Sequence, residues 1–147
     1  MNIQGAPPRR VFLFKQEYTD AFELRRAVGR SFRGSLLNVL DANEDGLRTA
    51  CAVVRSSPRG SGLVLVQRER RDAQSIRQLE RIRDLEALRS LPLVVLGGDA
   101  GDPLAVLRAH EDGAHGFVAL PARGADLARI GRAVAEFWER LQLLKSA

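Results

Sequence analysis

Five short apolar runs, separated by polar and turn-forming stretches, set the pattern of this chain. Val11–Phe14 is continuous and apolar, bounded by Arg9–Arg10 and by Lys15–Gln16–Glu17, and it predicts a buried parallel strand. Leu36–Leu40 predicts a weaker second strand, and Leu63–Val66 and Leu93–Leu96 predict fully buried ones. Gly116–Ala119 predicts a fifth, stopped by Pro121. Between them the apolar spacing changes to that of helices. Thr19–Asp20 is positioned to cap a helix that carries Ala21, Leu24 and Val28 on one stripe. Asp41–Asp45 is a turn and cap leading into a helix to about Val54, and Arg55–Gly62 reads as a loop. A third helix runs from Asp72 to about Leu85, with Ile76, Leu79 and Ile82 inward. The pair Asp102–Pro103 opens the fourth, with Asp as cap and Pro at the first helical position, and Gly113 ends it. A long final helix spans about Ala125 to Leu144.

Strands therefore alternate with helices, about five of each. That order predicts an α/β fold: a flavodoxin-like, doubly wound parallel sheet of order 2-1-3-4-5, with helices on both faces and an extended C-terminal helix. Residues 1–9 are expected to form an N-terminal tail and 10–147 one domain, which suits a chain of 147 residues. No apolar run reaches the ~18 residues of a membrane span, and residues 1–10 have no apolar stretch of the signal-peptide kind. The single cysteine, Cys51, excludes an internal disulfide; it is expected as a small core residue of the second helix in a cytoplasmic protein.

Charge changes the picture a little. The net charge is +5, and lysine occurs only at Lys15 and Lys145, so the basic side is arginine. The arginines are scattered over several helices with no aromatic residues interleaved, which argues against a nucleic-acid stacking surface. His110 and His115 have no ligand spacing and are expected at the surface. No nucleophile–base pair or metal cluster stands out, so neither catalysis, a metal nor a cofactor is expected. In an open α/β sheet the functional crevice lies at the carboxyl ends of the strands. There stand Lys15, Gln16 and Glu17; Gln67, Arg68 and Glu69; Gly97 and Gly98; and Leu120.

At these positions the chain resembles the response-regulator receiver domains. Leu63–Gln67 is similar to their third strand, Ser90–Gly97 to the strand leading to their switch Thr or Ser, and Gly113–Pro121 to the stretch ending in their Lys-Pro pair. Phe117 falls where many receivers carry a Tyr or Phe rotamer switch, and Glu136–Leu141 resembles stand-alone receivers that partner phytochrome-type kinases and tend to dimerise. The resemblance implies an acidic Mg²⁺ pair where Lys15 and Gln16 stand, the phosphorylated aspartate at Gln67, a hydroxyl at Gly97 and a lysine at Leu120. Every one of these chemical positions has changed type. An ammonium repels Mg²⁺, and a carboxamide does not accept a phosphoryl group. Glu17, Glu69 and Asp20 lie near in sequence, and Lys15 is expected either to pair with Glu17 or Glu69 in the space of the metal or to face solvent.

The resemblance also implies an interaction face that includes Leu107, Arg108, Phe117, Ala119 and Ile130. Leu127, Ile130, Val134, Phe137, Leu141 and Leu144 make a heptad-like seam on the last helix. With Trp138, its far end (Phe137, Leu141 and Leu144) is expected to form a homodimer contact. The expected function is that of a pseudo-receiver in a two-component or phosphorelay pathway, binding a sensor histidine kinase or another signalling protein. A flavodoxin-like enzyme with another site, or an arginine-driven nucleic-acid binder, is the alternative; neither a membrane nor a nucleic-acid partner is expected.

Overall fold

Alternation along the strands decides which side chains enter which of two cores. In the computed structural model, which describes residues 6–16, 21–56, 61–98, 101–120 and 127–146, β1 (Arg10–Lys15), β2 (Leu36–Asp41), β3 (Gly62–Arg68), β4 (Leu93–Gly97) and β5 (Gly116–Ala119) form one sheet. All pairings are parallel and the order is β2-β1-β3-β4-β5. Val11, Leu13, Leu63, Leu65, Val94 and Leu96 face one layer, made by α1 (Phe22–Ser31) and α6 (Leu127–Ser146). Phe12, Phe14, Val64, Val66, Leu93 and Val95 face the other, made by α2 (Glu44–Ser56), α3 (Ala73–Asp84), α4 (Glu86–Arg89) and α5 (Ala105–Glu111). The fully buried centre of β1, β3 and β4 explains their uninterrupted apolar runs.

The first four strands run one or two residues further than the apolar runs, so Lys15, Asp41, Gln67 and Gly97 are ladder residues, while β5 keeps the predicted bounds. The one-turn helix α4 has no counterpart in the sequence reading. Extended backbone at Leu85 separates it from α3, and Leu88 plugs the core. Asp72, where the sequence starts this helix, is the N-cap of α3, in a reciprocal capping box with Ser75. Leu79 and Ile82 are buried, whereas Ile76 is half-buried and Ser75 takes the inner position. The start of α5 differs: Asp102 Oδ1 accepts from the Leu104 N–H, but Pro103 lies in a turn and the helix begins at Ala105. The cap predicted at Thr19–Asp20 lies outside the described residues.

Helix α6 packs tightly on α1. A Cβ on Gly131 would collide with the Ala27 carbonyl and the Ser31 hydroxyl, so only glycine allows this approach. Its aromatic residues fold back on their own domain. Trp138, expected in a dimer contact, is 3% exposed, and its Nε1–H donates to the Ala6 carbonyl at 3.0 Å. Phe137 lays its ring against Gly116 of β5. Ile130, carried onto an interaction face by resemblance, is 4% exposed and belongs to the core. The sheet side of the heptad-like seam therefore takes in most of it; Leu141 is half-buried, and Leu144 is the seam residue left in solvent, at 73%.

Residues 6–9 also touch the body of the domain. The Ser35 hydroxyl donates to the Pro8 carbonyl, the Leu36 N–H to the Arg9 carbonyl, and the Arg9 N–H to the Ser61 hydroxyl.

Candidate functional site

The residues singled out at the strand ends do meet at one edge of the sheet. Lys15 closes β1 opposite Asp41, its register partner on β2. Its Nζ lies 2.5 Å from Asp41 Oδ1, an ion pair of two partly exposed side chains. The expected partners were Glu17 and Glu69. Glu69 is exposed, and Glu17 lies outside the described residues. Parallel pairing of β1 with β2 is what brings Asp41 there instead.

Gln67 sits next, half-buried, and its Oε1 accepts from the Gln16 N–H at 3.4 Å. The group where the resemblance puts a nucleophile thus binds the backbone of Gln16, the residue just past β1. Gly97 ends β4, and a Cβ on it would overlap the Phe117 ring from β5. Phe117 is half-buried and packs on the α5-side core, so its ring fills the space of a residue-97 side chain. Leu120 continues the ladder, its N–H donating to the Gly97 carbonyl at 2.7 Å, and its side chain packs on the α1/α6 core.

One arrangement here escaped the sequence reading. Arg68 follows Gln67, shares the parity of Val64 and Val66, and is 3% exposed. Its Nη1 donates to Asp112 Oδ2 at 2.7 Å, and Arg71 grips the same carboxylate in a fork, Nε to Oδ2 and Nη2 to Oδ1, both at 2.8 Å. Asp112 is the C-cap of α5. The hydrogen bonds from Arg71, and then from Arg68, hold its carboxyl below the ordinary aspartate range, against the opposing effect of burial. Strand β3, the loop after it and the end of α5 are thereby joined by one ionic knot. The strand period indicated which way Arg68 points; its partner, 44 residues away, left no mark in local spacing.

Mg²⁺ is the ion that this class of fold implies. Among the described residues, the groups at the corresponding place are an ammonium already paired with the Asp41 carboxylate and two carboxamides, and they do not fit that ion. Among the described residues no cluster of three or more His, Cys, Asp or Glu side chains is placed to hold a metal.

Farther off, Leu107 of α5 is 54% exposed, and Arg108 pairs with Asp102 at 2.7 Å. Cys51 is buried, as expected of a core residue. His110 and His115 are exposed; His115 Nδ1 accepts from the Leu93 N–H and meets Arg83 Nη2 at 2.8 Å, so it braces the starts of β4 and β5.

Comparison with solved structures places this architecture. The chain has the response-regulator receiver, or CheY-like, fold. A receiver domain from Rhodospirillum rubrum superposes with a TM-score of 0.66 at 17% identity, over 88% of this chain and 92% of the other. A response regulator in red light signaling of R. palustris gives 0.63 at 18% identity, over 88% and 92%. The phosphorylated cyanobacterial phytochrome response regulator RcpA gives 0.61 at 18% identity, over 89% and 94%. No family model matches the sequence, and no curated protein does. The receiver fold is thus present with identities that speak for architecture alone. No described helix is long and apolar enough to cross a membrane.

Proposed function

We propose that this chain is a receiver-like signalling protein of the two-component type that binds its partners in one fixed conformation, without aspartyl phosphorylation and without enzymatic activity. The observation that carries the reading is the Lys15–Asp41 ion pair beside Gln67: a bound cation and an amide at the positions where the resemblance implies a metal and a nucleophile. Phe117 supports it: the ring rests in space that an inserted hydroxyl side chain at position 97 would claim. With no covalent switch, affinity is set by this resting state and by the state of the partner. A cytoplasmic sensor histidine kinase, or another signalling protein of the same pathway, is the partner class.

Exposed Leu104, at the N-cap of α5, and Val106 and Leu107 on it form one apolar patch of the surface, and we assign the homodimer contact to it rather than to Trp138.

Incubation with a small-molecule phosphodonor and Mg²⁺, followed by intact mass measurement, tests the first claim. The mass is expected to stay that of the unmodified chain, and a stable phosphoryl adduct overturns the reading. Size-exclusion chromatography with light scattering tests the second. A dimer that Leu107→Lys converts to a monomer is expected, and a monomer at every concentration removes the assignment.

A further inference from the structure

The ion pairs of this protein are unevenly placed. Among the described residues they join Arg48 to Asp45, Arg68 and Arg71 to Asp112, Arg81 to Glu44, Arg108 to Asp102 and Lys15 to Asp41. All lie at the strand ends or in the α2, α3 and α5 layer. The opposite layer is different. Arg25, Arg26 and Arg30 on α1, Arg33 just after it, and Arg129, Arg132 and Arg140 on α6 are all exposed, and none has a carboxylate partner among the described residues. Three glutamates, Glu23, Glu136 and Glu139, accompany these seven arginines. The excess of four positive charges nearly equals the net +5 of the whole chain.

The close approach at Gly131 makes this one continuous surface. Ala27 and Ser31 face α6 and Gly131 faces α1. Arg26 and Arg30 therefore flank the seam on one side and Arg132 on the other. Phe22 and Leu143, each 56% exposed, add apolar area to the same layer, and the Arg26 guanidinium lies 5.7 Å from the centre of the Phe22 ring.

We propose that the α1–α6 face docks an acidic protein surface, with Arg26, Arg30 and Arg132 as the central contacts. This rests on the reading of the chain as a partner-binding signalling protein and names the partner's chemistry. Unpaired arginines offer planar, bidentate donors to carboxylates. The three glutamates oppose a uniform polyanion such as a nucleic-acid duplex or an anionic bilayer, whereas a folded acidic surface can set a cation against each. Phe22 and Leu143 supply the apolar contact that protein interfaces use and a phosphate backbone does not.

The probe is a synthetic Glu-rich, Leu-striped helical peptide, titrated into the full-length chain at low and at physiological salt. Two charge-matched variants separate this face from bulk charge: Arg26→Glu/Arg30→Glu/Arg132→Glu, and Arg55→Glu/Arg77→Glu/Arg89→Glu in the opposite layer. The first is expected to weaken peptide binding roughly tenfold or more and the second less than about twofold. Arg26→Gln/Arg30→Gln/Arg132→Gln provides a neutral version, and circular dichroism checks that each variant is folded. Equal losses in both layers, no binding by the unaltered chain, or tighter binding of a short DNA duplex or of anionic vesicles than of the peptide overturns the proposal. The phosphodonor measurement is independent: an adduct there defeats the switchless reading and leaves the charge result standing.

Discussion

At the scale of single residues, the strand-end edge is held by contacts that replace chemistry with structure. Gly97 and Phe117 are the sharpest case. Gly97→Ala puts a methyl where the ring lies, and the ring must move or the strands must part, at a cost of about 1–3 kcal/mol. Phe117→Ala vacates the site, so the double variant is expected to be more stable than the sum of the single effects predicts. A thermodynamic cycle from denaturant unfolding checks this, and additive losses would show that the two residues do not compete for space. Asp112 is the second case. Removing it leaves Arg68 as a buried unpaired cation, and Asp112→Ala is expected to lose roughly 3–5 kcal/mol. The pH dependence has a definite sign. The folded Asp112 carboxyl titrates below the unfolded value of about 3.9. Its contribution is complete above that unfolded value and is lost as pH falls through the folded one. Wild-type stability should therefore fall more steeply on acidification than that of Asp112→Asn, which urea unfolding across the acid range would reveal.

At the scale of elements, the sequence states the order plainly and the partners poorly. β1, β3 and β4 announced themselves because burial on both faces leaves four apolar residues in a row. In the sequence Lys15 stands out as the odd residue at the end of β1, whereas Asp41 has the look of a turn residue. Only the β1–β2 register makes the two neighbours. The knot of Arg68, Arg71 and Asp112 was invisible for the same reason: it joins three elements that have no local spacing in common. Helix α6 shows the converse limit. Its apolar stripe is longer than a five-stranded sheet needs, and that surplus suggested a second copy of the chain. The structure covers part of it from within, with Ala6 at Trp138 and β5 at Phe137. Helical periodicity reports that a side chain is covered and is silent on what covers it. Trp138→Ala should accordingly cost about 3–5 kcal/mol, as loss of a core residue does, with no change in oligomeric state. Unfolding curves and light scattering on the same variant separate those two outcomes.

At the scale of the whole molecule, the two layers around the sheet differ in character. Among the described residues the α2, α3 and α5 side holds the ion pairs that tie its elements together, beside further exposed arginines such as Arg55, Arg77 and Arg89. The α1–α6 side is tied by close backbone packing and keeps its arginines for the solvent. The sequence showed that arginine supplies the positive charge, but pairing depends on neighbours brought together only by the fold. In the linear pattern the arginines are scattered over several helices.

The seat of Trp138 has a practical corollary. It is the sole indole in the chain, and its N–H is fastened to Ala6, 132 positions upstream. Its emission is thus an optical gauge built into the protein, reading out whether the segment that leads into β1 is in place. Any partner, fusion or truncation that lifts Ala6 should redden and quench that fluorescence while the sheet is still intact, giving an early signal without a label.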